Sequence, residues 1–286
     1  MSANCSLLGI ARDWLQADTP MMEVLVLDAK GSVPRAAGTR MLVSADQVAG
    51  TIGGGHLEHK AIAHARARLA AAADAVNVGR EHDGQHDDRH YPLGPALGQC
   101  CGGALTLRTQ PLTPIGLAGW PVEPSLFNLQ LYGAGHVGRA IVQLLERLNC
   151  RVQWIDEREA EFPAAANAAH IERLCVEPVE AEVSEAAASS FFLVLTHSHD
   201  LDLRITEAIL RRADFSYLGL IGSATKLARF RRRFEQRGID ASSLARITCP
   251  IGVPGISGKE PEVIAMAVVA QLLQVAAASL APRPGV

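Results

Sequence analysis

Phe127-Asn128-Leu129-Gln130-Leu131-Tyr132-Gly133-Ala134-Gly135-His136-Val137-Gly138 is the stretch on which the fold turns. Its first half reads as a strand, and its second half is a G-x-G-x-x-G turn that opens a helical pattern from His136 to Leu148. A second strand pattern, Arg151 to Ile155, ends at Asp156, eighteen residues past Gly138. At that place an acidic side chain accepts hydrogen bonds from a ribose, while the helix start offers bare amides to an anion. Strand, glycine turn, helix and acid in register predict a Rossmann-like domain. They leave open whether it binds a dinucleotide, because the same glycines also permit tight strand-to-helix packing.

Outward from this motif the alternation continues. Phe191 to Thr196, Tyr217 to Ile221 and Ala245 to Thr248 read as strands, with helices from Leu203 to Ala213 and from Ala224 to Arg237 between them. Such a pattern predicts a doubly wound parallel sheet with helices on both faces. Upstream, Met22 to Asp28, Arg40 to Ser44, Val48 to Ile52 and Ala104 to Thr109 read as a small sheet, and Leu57 to Ala75 as a helix. Pro111 to Pro124 carries four prolines, the composition of a linker. The fold class is therefore α/β: an N-terminal α/β domain over 1–110, a linker over 111–126 and a Rossmann-like doubly wound parallel-sheet domain over 127–286.

The 286 residues suffice for two cores, and 48% hydrophobic with 20% charged residues is the balance of a soluble globular chain. A net charge of −3 gives no global attraction to nucleic acid or to an anionic membrane. The first twenty residues lack the basic and apolar regions of a signal peptide. Val263 to Leu280 is interrupted by Gln271 and Gln274 and reads as a packed helix, short of the roughly twenty residues that span a bilayer. Six cysteines without a C-x-x-C pair speak for reduced thiols and a cytoplasmic location.

The cysteines include one unusual pair, Gly98-Gln99-Cys100-Cys101-Gly102-Gly103. Consecutive α-carbons lie about 3.8 Å apart, short of the roughly 4.4–6.8 Å of a relaxed disulfide, so free thiols are expected. Flanking glycines let backbone amides approach a thiolate or an anionic ligand, although two small side chains filling a tight strand entry explain the pair equally simply. Gly53-Gly54-Gly55 forms a second strand-to-helix glycine turn, followed by His56, Glu58 and His59; the bland alternative is a helix start with Glu58 near the positive dipole end. Arg35, in Gly31-Ser32-Val33-Pro34-Arg35, can reach an anion or simply lie exposed.

Thr196-His197-Ser198-His199-Asp200-Leu201-Asp202 ends a central strand, where open α/β sheets place their ligands; Asp200 or Asp202 can instead cap the next helix. Its spacing does not fit a zinc hydrolase. His82, His86 and His90 fall in a glycine- and charge-rich stretch that reads as a solvated loop. The arginines from Arg229 to Arg237 surround an apolar stripe and form either a solvated face or a docking surface.

Taken in order, Gly31 to Arg35 with Gly38, Gly50 to Gly55 with Leu57-Glu58, Gln99 to Gly103, Gly133 to Gly138, Asp156 with Arg158 and Phe162-Pro163, Gly219 to Ser223 with Lys226, and Pro250-Ile251-Gly252 resemble the XdhC/CoxI family over nearly the whole chain. The resemblance implies a non-enzymatic chaperone that binds molybdenum cofactor, a phosphorylated molybdopterin, supports its sulfuration by a cysteine desulfurase and inserts it into xanthine dehydrogenase, in purine catabolism. A homodimer is expected, with neither nucleic acid nor membrane as partner. On the matching motif positions, the cofactor-contacting residues are Arg35, Gly53, Gly54, Gly55, Cys100, Cys101, Gly102, Gly133, Gly135, His136, Gly138, Asp156 and His197, with Cys101 near molybdenum. Cys100 and Cys101 are expected near the interdomain cleft, and Cys150 and Cys175 in structural roles. The competing reading is an NAD(P)-dependent oxidoreductase, for which His136 and His197 are the available acid–base groups.

Overall fold

Met41, Leu42 and Val43 follow one another along a strand, and because strand side chains alternate, Leu42 serves a different core from its neighbours. A computed structural model describes residues 7–77, 86–93, 102–121, 124–165 and 168–280. The chain forms two compact units, one within Ala3–Val122 and one within Glu123–Val286.

In the first unit the elements are α1 (Leu7–Gln16), β1 (Met22–Lys30), β2 (Arg40–Val43), β3 (Val48–Gly50), α2 (Gly55–Asn77), β4 (Asp87–Pro92), β5 (Ala104–Pro111) and α3 (Pro114–Ala118). The strands form one antiparallel sheet in the order β3-β2-β1-β5-β4. Leu57, Ala61 and Ala65 of α2 cover the face carrying Met22, Val24, Val26 and Met41. Ala11, Leu42, Leu112 and Leu117 fill the core on the opposite face.

Two sequence expectations need correction here. The proline-rich stretch from Pro111 is folded at least through α3, because Thr113 caps that helix by accepting a hydrogen bond from Gly116 N–H and Leu112 and Leu117 are buried. His90 lies on a strand, since Asp88 receives a bidentate ion pair from Arg108 on β5 (2.8 and 2.7 Å) and β4 pairs along its length with β5. His82 lies outside the described residues.

The second unit contains β6 (Asn128–Tyr132), α4 (His136–Leu145), β7 (Arg151–Asp156), β8 (Ile171–Cys175), β9 (Phe191–Val194), α5 (His199–Arg212), β10 (Tyr217–Leu220), α6 (Ala224–Gln236), α7 (Ala241–Ala245), β11 (Ile247–Thr248) and α8 (Pro261–Leu280). All strands are parallel, in the order β11-β10-β9-β6-β7-β8, which is the Rossmann arrangement. Leu129, Leu131, Trp154 and Leu193 face α4 and α8, whereas Tyr132, Ile155, Phe192 and Val194 face α5 and α6. The strand β8 was not foreseen, because Ile171-Glu172-Arg173-Leu174-Cys175 carries little apolar signal.

Helix α8 has the 20 residues that the sequence reading denied it, and among the described residues it is the one helix long and apolar enough to cross a membrane. Ala265, Val268, Leu272 and Ala276 form a stripe that packs into the core beside α4. Buried residues make up 33% of its most apolar stretch.

Candidate functional site

The carboxyl ends of β6 and β9 are neighbours, yet their following helices lie on opposite faces, so a crevice opens between them as at any such switch point. The three glycines at the end of β6 do different work. Gly133 has φ +121°, and a Cβ there would come within 2.4 Å of the Leu195 carbonyl oxygen. A Cβ on Gly138 would come within 2.1 Å of the Gly133 carbonyl oxygen, so this glycine allows α4 to sit hard against the turn. At Gly135 a Cβ would meet nothing within 4 Å. Gly135 is also the N-cap of α4, and no side chain caps the helix, so the open space beside Gly135 adjoins the uncapped helix start. His136 stands exposed there.

Asp156 fastens this turn to β7. Its Oδ2 accepts the Ala134 N–H (2.7 Å) and Arg158 Nη2 (2.9 Å), and its Oδ1 accepts the Arg158 N–H (3.0 Å) and Nε (2.9 Å). Burial would raise its pKa, but the Arg158 guanidinium and the two amides outweigh it and hold the carboxyl below its ordinary value. Arg158 also reaches Glu161 (3.3 Å), which in turn accepts from Arg139 (2.5 Å). Trp154 Nε1 donates to the Gly133 carbonyl (3.0 Å), locking the turn from below. Above Tyr132 the crevice is lined by Ile155, Asp156, Glu157, Thr196 and His197. His197 Nε2 comes 3.6 Å from Glu157 Oε1.

At the end of β9 the helix cap is Ser198, which accepts from Leu201 N–H; neither Asp200 nor Asp202 has that role. Asp202 is buried, accepting Thr196 N–H (3.0 Å) and Thr196 Oγ1 (2.7 Å) on one oxygen and Lys226 Nζ (2.5 Å) on the other. Lys226 Nζ also donates to the Ile221 carbonyl (2.8 Å). The sequence reading placed Lys226 within a basic run, and only its i, i+4 relation to Phe230 hinted at an inward-facing stem. Cys249 lies beside this clamp, its Sγ 3.4 Å from the Gly222 carbonyl, with burial pushing its thiol pKa up against the pull of Lys226. Cys150 is buried and its pKa is pushed up to about 12. Cys175, expected to be structural, is exposed at the end of β8.

In the first unit, Gly53 has φ +120°, and a Cβ there would come within 2.4 Å of Pro34 and 3.6 Å of Arg35. A Cβ on Gly103 would come within 2.5 Å of the Ser32 carbonyl oxygen. The Gly31–Arg35, Gly53–Gly55 and Gly102–Gly103 segments thus converge, with Arg35 exposed at their edge. Of the amides expected to cradle an external anion here, those of Gly53 and Gly54 are already engaged. Glu58 Oε2 accepts Ile52 N–H (2.9 Å), Gly54 N–H (3.0 Å) and Thr51 Oγ1 (2.5 Å), and Gly53 N–H donates to Thr51 Oγ1 (3.1 Å). Burial of Glu58 works to raise its pKa, but these hydrogen bonds outweigh it and the pKa is lowered. Cys100 and Cys101 lie outside the described residues, next to Gly102, where a Cβ would meet nothing within 4 Å.

Comparison with known proteins agrees with this architecture. A model described as the XdhC Rossmann domain matches residues 129–272, and one described as the XdhC and CoxI family matches residues 14–79. The uncharacterized protein YqeB of Escherichia coli (strain K12) is 30% identical over 269 residues, covering 91% of this chain and 44% of its own. This chain therefore spans less than half the length of that relative. A Bacillus halodurans protein described as a xanthine dehydrogenase in its crystal structure is 18% identical, with a TM-score of 0.72 and 97% of each chain covered; it shares the fold.

Proposed function

The chain belongs to the XdhC and CoxI family, and from that premise we propose that it is an accessory protein that carries molybdenum cofactor, supports its sulfuration with a cysteine desulfurase and delivers it to xanthine dehydrogenase. The observation that carries this reading is the open glycine turn. Gly133 and Gly138 are fixed by close packing, whereas the space beside Gly135 is free for a phosphate approaching the α4 amides. Those residues fit the phosphorylated tail of the cargo.

In this reading His197, which lines the crevice, and His136, exposed at the start of α4, serve as hydrogen-bonding groups. The cargo brings a molybdenum centre that requires soft or hydrogen-bonding groups and exclusion of solvent. The protein's part is to hold and release it, which suits a homodimer acting stoichiometrically in the cytoplasm.

The test is to purify the protein from cells that make the cofactor, assay bound pterin and molybdenum, and mix the loaded protein with cofactor-free xanthine dehydrogenase. Transfer of metal together with gain of activity is expected. Nicotinamide bound stoichiometrically with no pterin would overturn the reading in favour of an oxidoreductase.

A further inference from the structure

We infer that Arg158 is a specificity-determining residue: by occupying Asp156 it bars nicotinamide dinucleotides from the open glycine turn. A dinucleotide-binding domain needs the acid at the end of its second strand to accept hydrogen bonds from a ribose. A carboxylate has about four acceptor positions. Asp156 fills them with Ala134 N–H and with the backbone N–H, Nε and Nη2 of Arg158, all between 2.7 and 3.0 Å. It is only 5% exposed, so no face is left for a sugar hydroxyl.

A ribose would have to displace a bidentate guanidinium–carboxylate pair, among the stronger hydrogen-bonded contacts a protein makes. A phosphorylated ribose fares no better. Arg158 already gives Nε and Nη2 to Asp156 and Nη1 to Glu161 (3.3 Å), and the negative charge of Glu157 and Glu161 beside the same guanidinium repels a 2′-phosphate. The corner thus refuses both forms of the dinucleotide, while the amides beside Gly135, on the other side of the turn, stay open. That the turn then serves a different anionic cargo rests on the function proposed above; the exclusion rests on Asp156 and Arg158 alone.

Calorimetric titration of the full chain with NAD⁺ and NADP⁺ tests the inference. The wild-type protein should show no saturable binding of either up to millimolar concentrations. Arg158→Ala frees Asp156 and should tighten NAD⁺ by about tenfold or more, the effect of gaining hydrogen bonds to a charged acceptor. NADP⁺ should gain nothing, and the double variant Asp156→Asn/Arg158→Ala should lose the NAD⁺ gain. Micromolar NAD⁺ binding by the wild type would overturn the inference, as would an Arg158→Ala protein that melts cooperatively yet binds NAD⁺ no better.

If Arg158→Ala does not fold, Arg158→Lys, which keeps the charge and loses the fork, takes its place. A smaller NAD⁺ gain supports the inference and no gain overturns it. A chain that carries pterin but shows no gain would sink this inference and leave the proposed function standing; a chain that gains NAD⁺ but never carries pterin would do the reverse.

Discussion

Two glycine turns, Gly53–Gly55 and Gly133–Gly138, each lead from a strand into a helix and each is held by a carboxylate, yet one is filled and the other open. In the first unit the carboxylate is Glu58, in the first turn of the very helix the glycines introduce, and it collects the amides of Ile52 and Gly54. In the second unit it is Asp156, from the adjacent strand, and of the glycine turn's amides it takes that of Ala134, short of the helix start. A glycine-rich turn becomes an anion site only when the protein has not already supplied the anion. Where the acid comes from decides that.

The sharpest way to break the comparison is at Gly138. Because a Cβ there would overlap the Gly133 carbonyl, Gly138→Val should cost about 3 kcal/mol or prevent folding of the second unit, read by denaturant unfolding. A well-folded Gly138→Val would mean that the turn can relax and that its glycines are not fixed by packing. Next in size, Glu58→Ala should destabilise the first unit by about 2 kcal/mol, since it strips a charged acceptor from partly buried amides. The same variant should make the N-terminal turn resemble the other one: millimolar sulfate should raise its melting temperature more than that of the wild type.

Acid separates the turns more gently. Both carboxyls have folded pKa values below their ordinary ones, so their contributions are fully present above those values and vanish as pH falls through the folded pKa. The Glu58 contribution therefore starts to decline below about pH 4.5 and that of Asp156 below about pH 3.8. Unfolding free energy measured against pH should fall toward that of Glu58→Gln in this window, and parallel curves would remove the carboxylate from the account. The smallest effect is expected at Gly135→Ala, which meets no atom and should change stability by less than about 1 kcal/mol. A loss as large as that at Gly138 would show the space beside Gly135 to be closed.

The parallel sheet was legible because its strands are buried on both faces and read as continuous apolar runs such as Phe191 to Leu195, punctuated by glycine. β4 and β8 were not, because Asp87 to Pro92 and Ile171 to Cys175 owe their strand character to cross-strand partners rather than to composition. The glycines of the site could be picked out from spacing alone. The occupants of their amides could not, since Glu58 and Arg158 are ordinary charged residues until the fold aims them. The exchange of roles between Ser198 and Asp202 was hidden for a related reason: both stand where a cap can stand, and only the arrival of Lys226 from a distant helix draws Asp202 inward.

The Asp202–Lys226 pair bears on how slowly one side of the sheet can come apart. Asp202 holds the Thr196 amide at the end of β9 while Lys226 holds the Ile221 carbonyl after β10, so parting these ends strands a buried charge with no partner. Partial openings are therefore closed to this edge. The Thr196 amide proton should exchange with solvent at the pace of whole-unit unfolding. Amides at the start of α4, where the glycine N-cap brings no capping side chain, should exchange far faster.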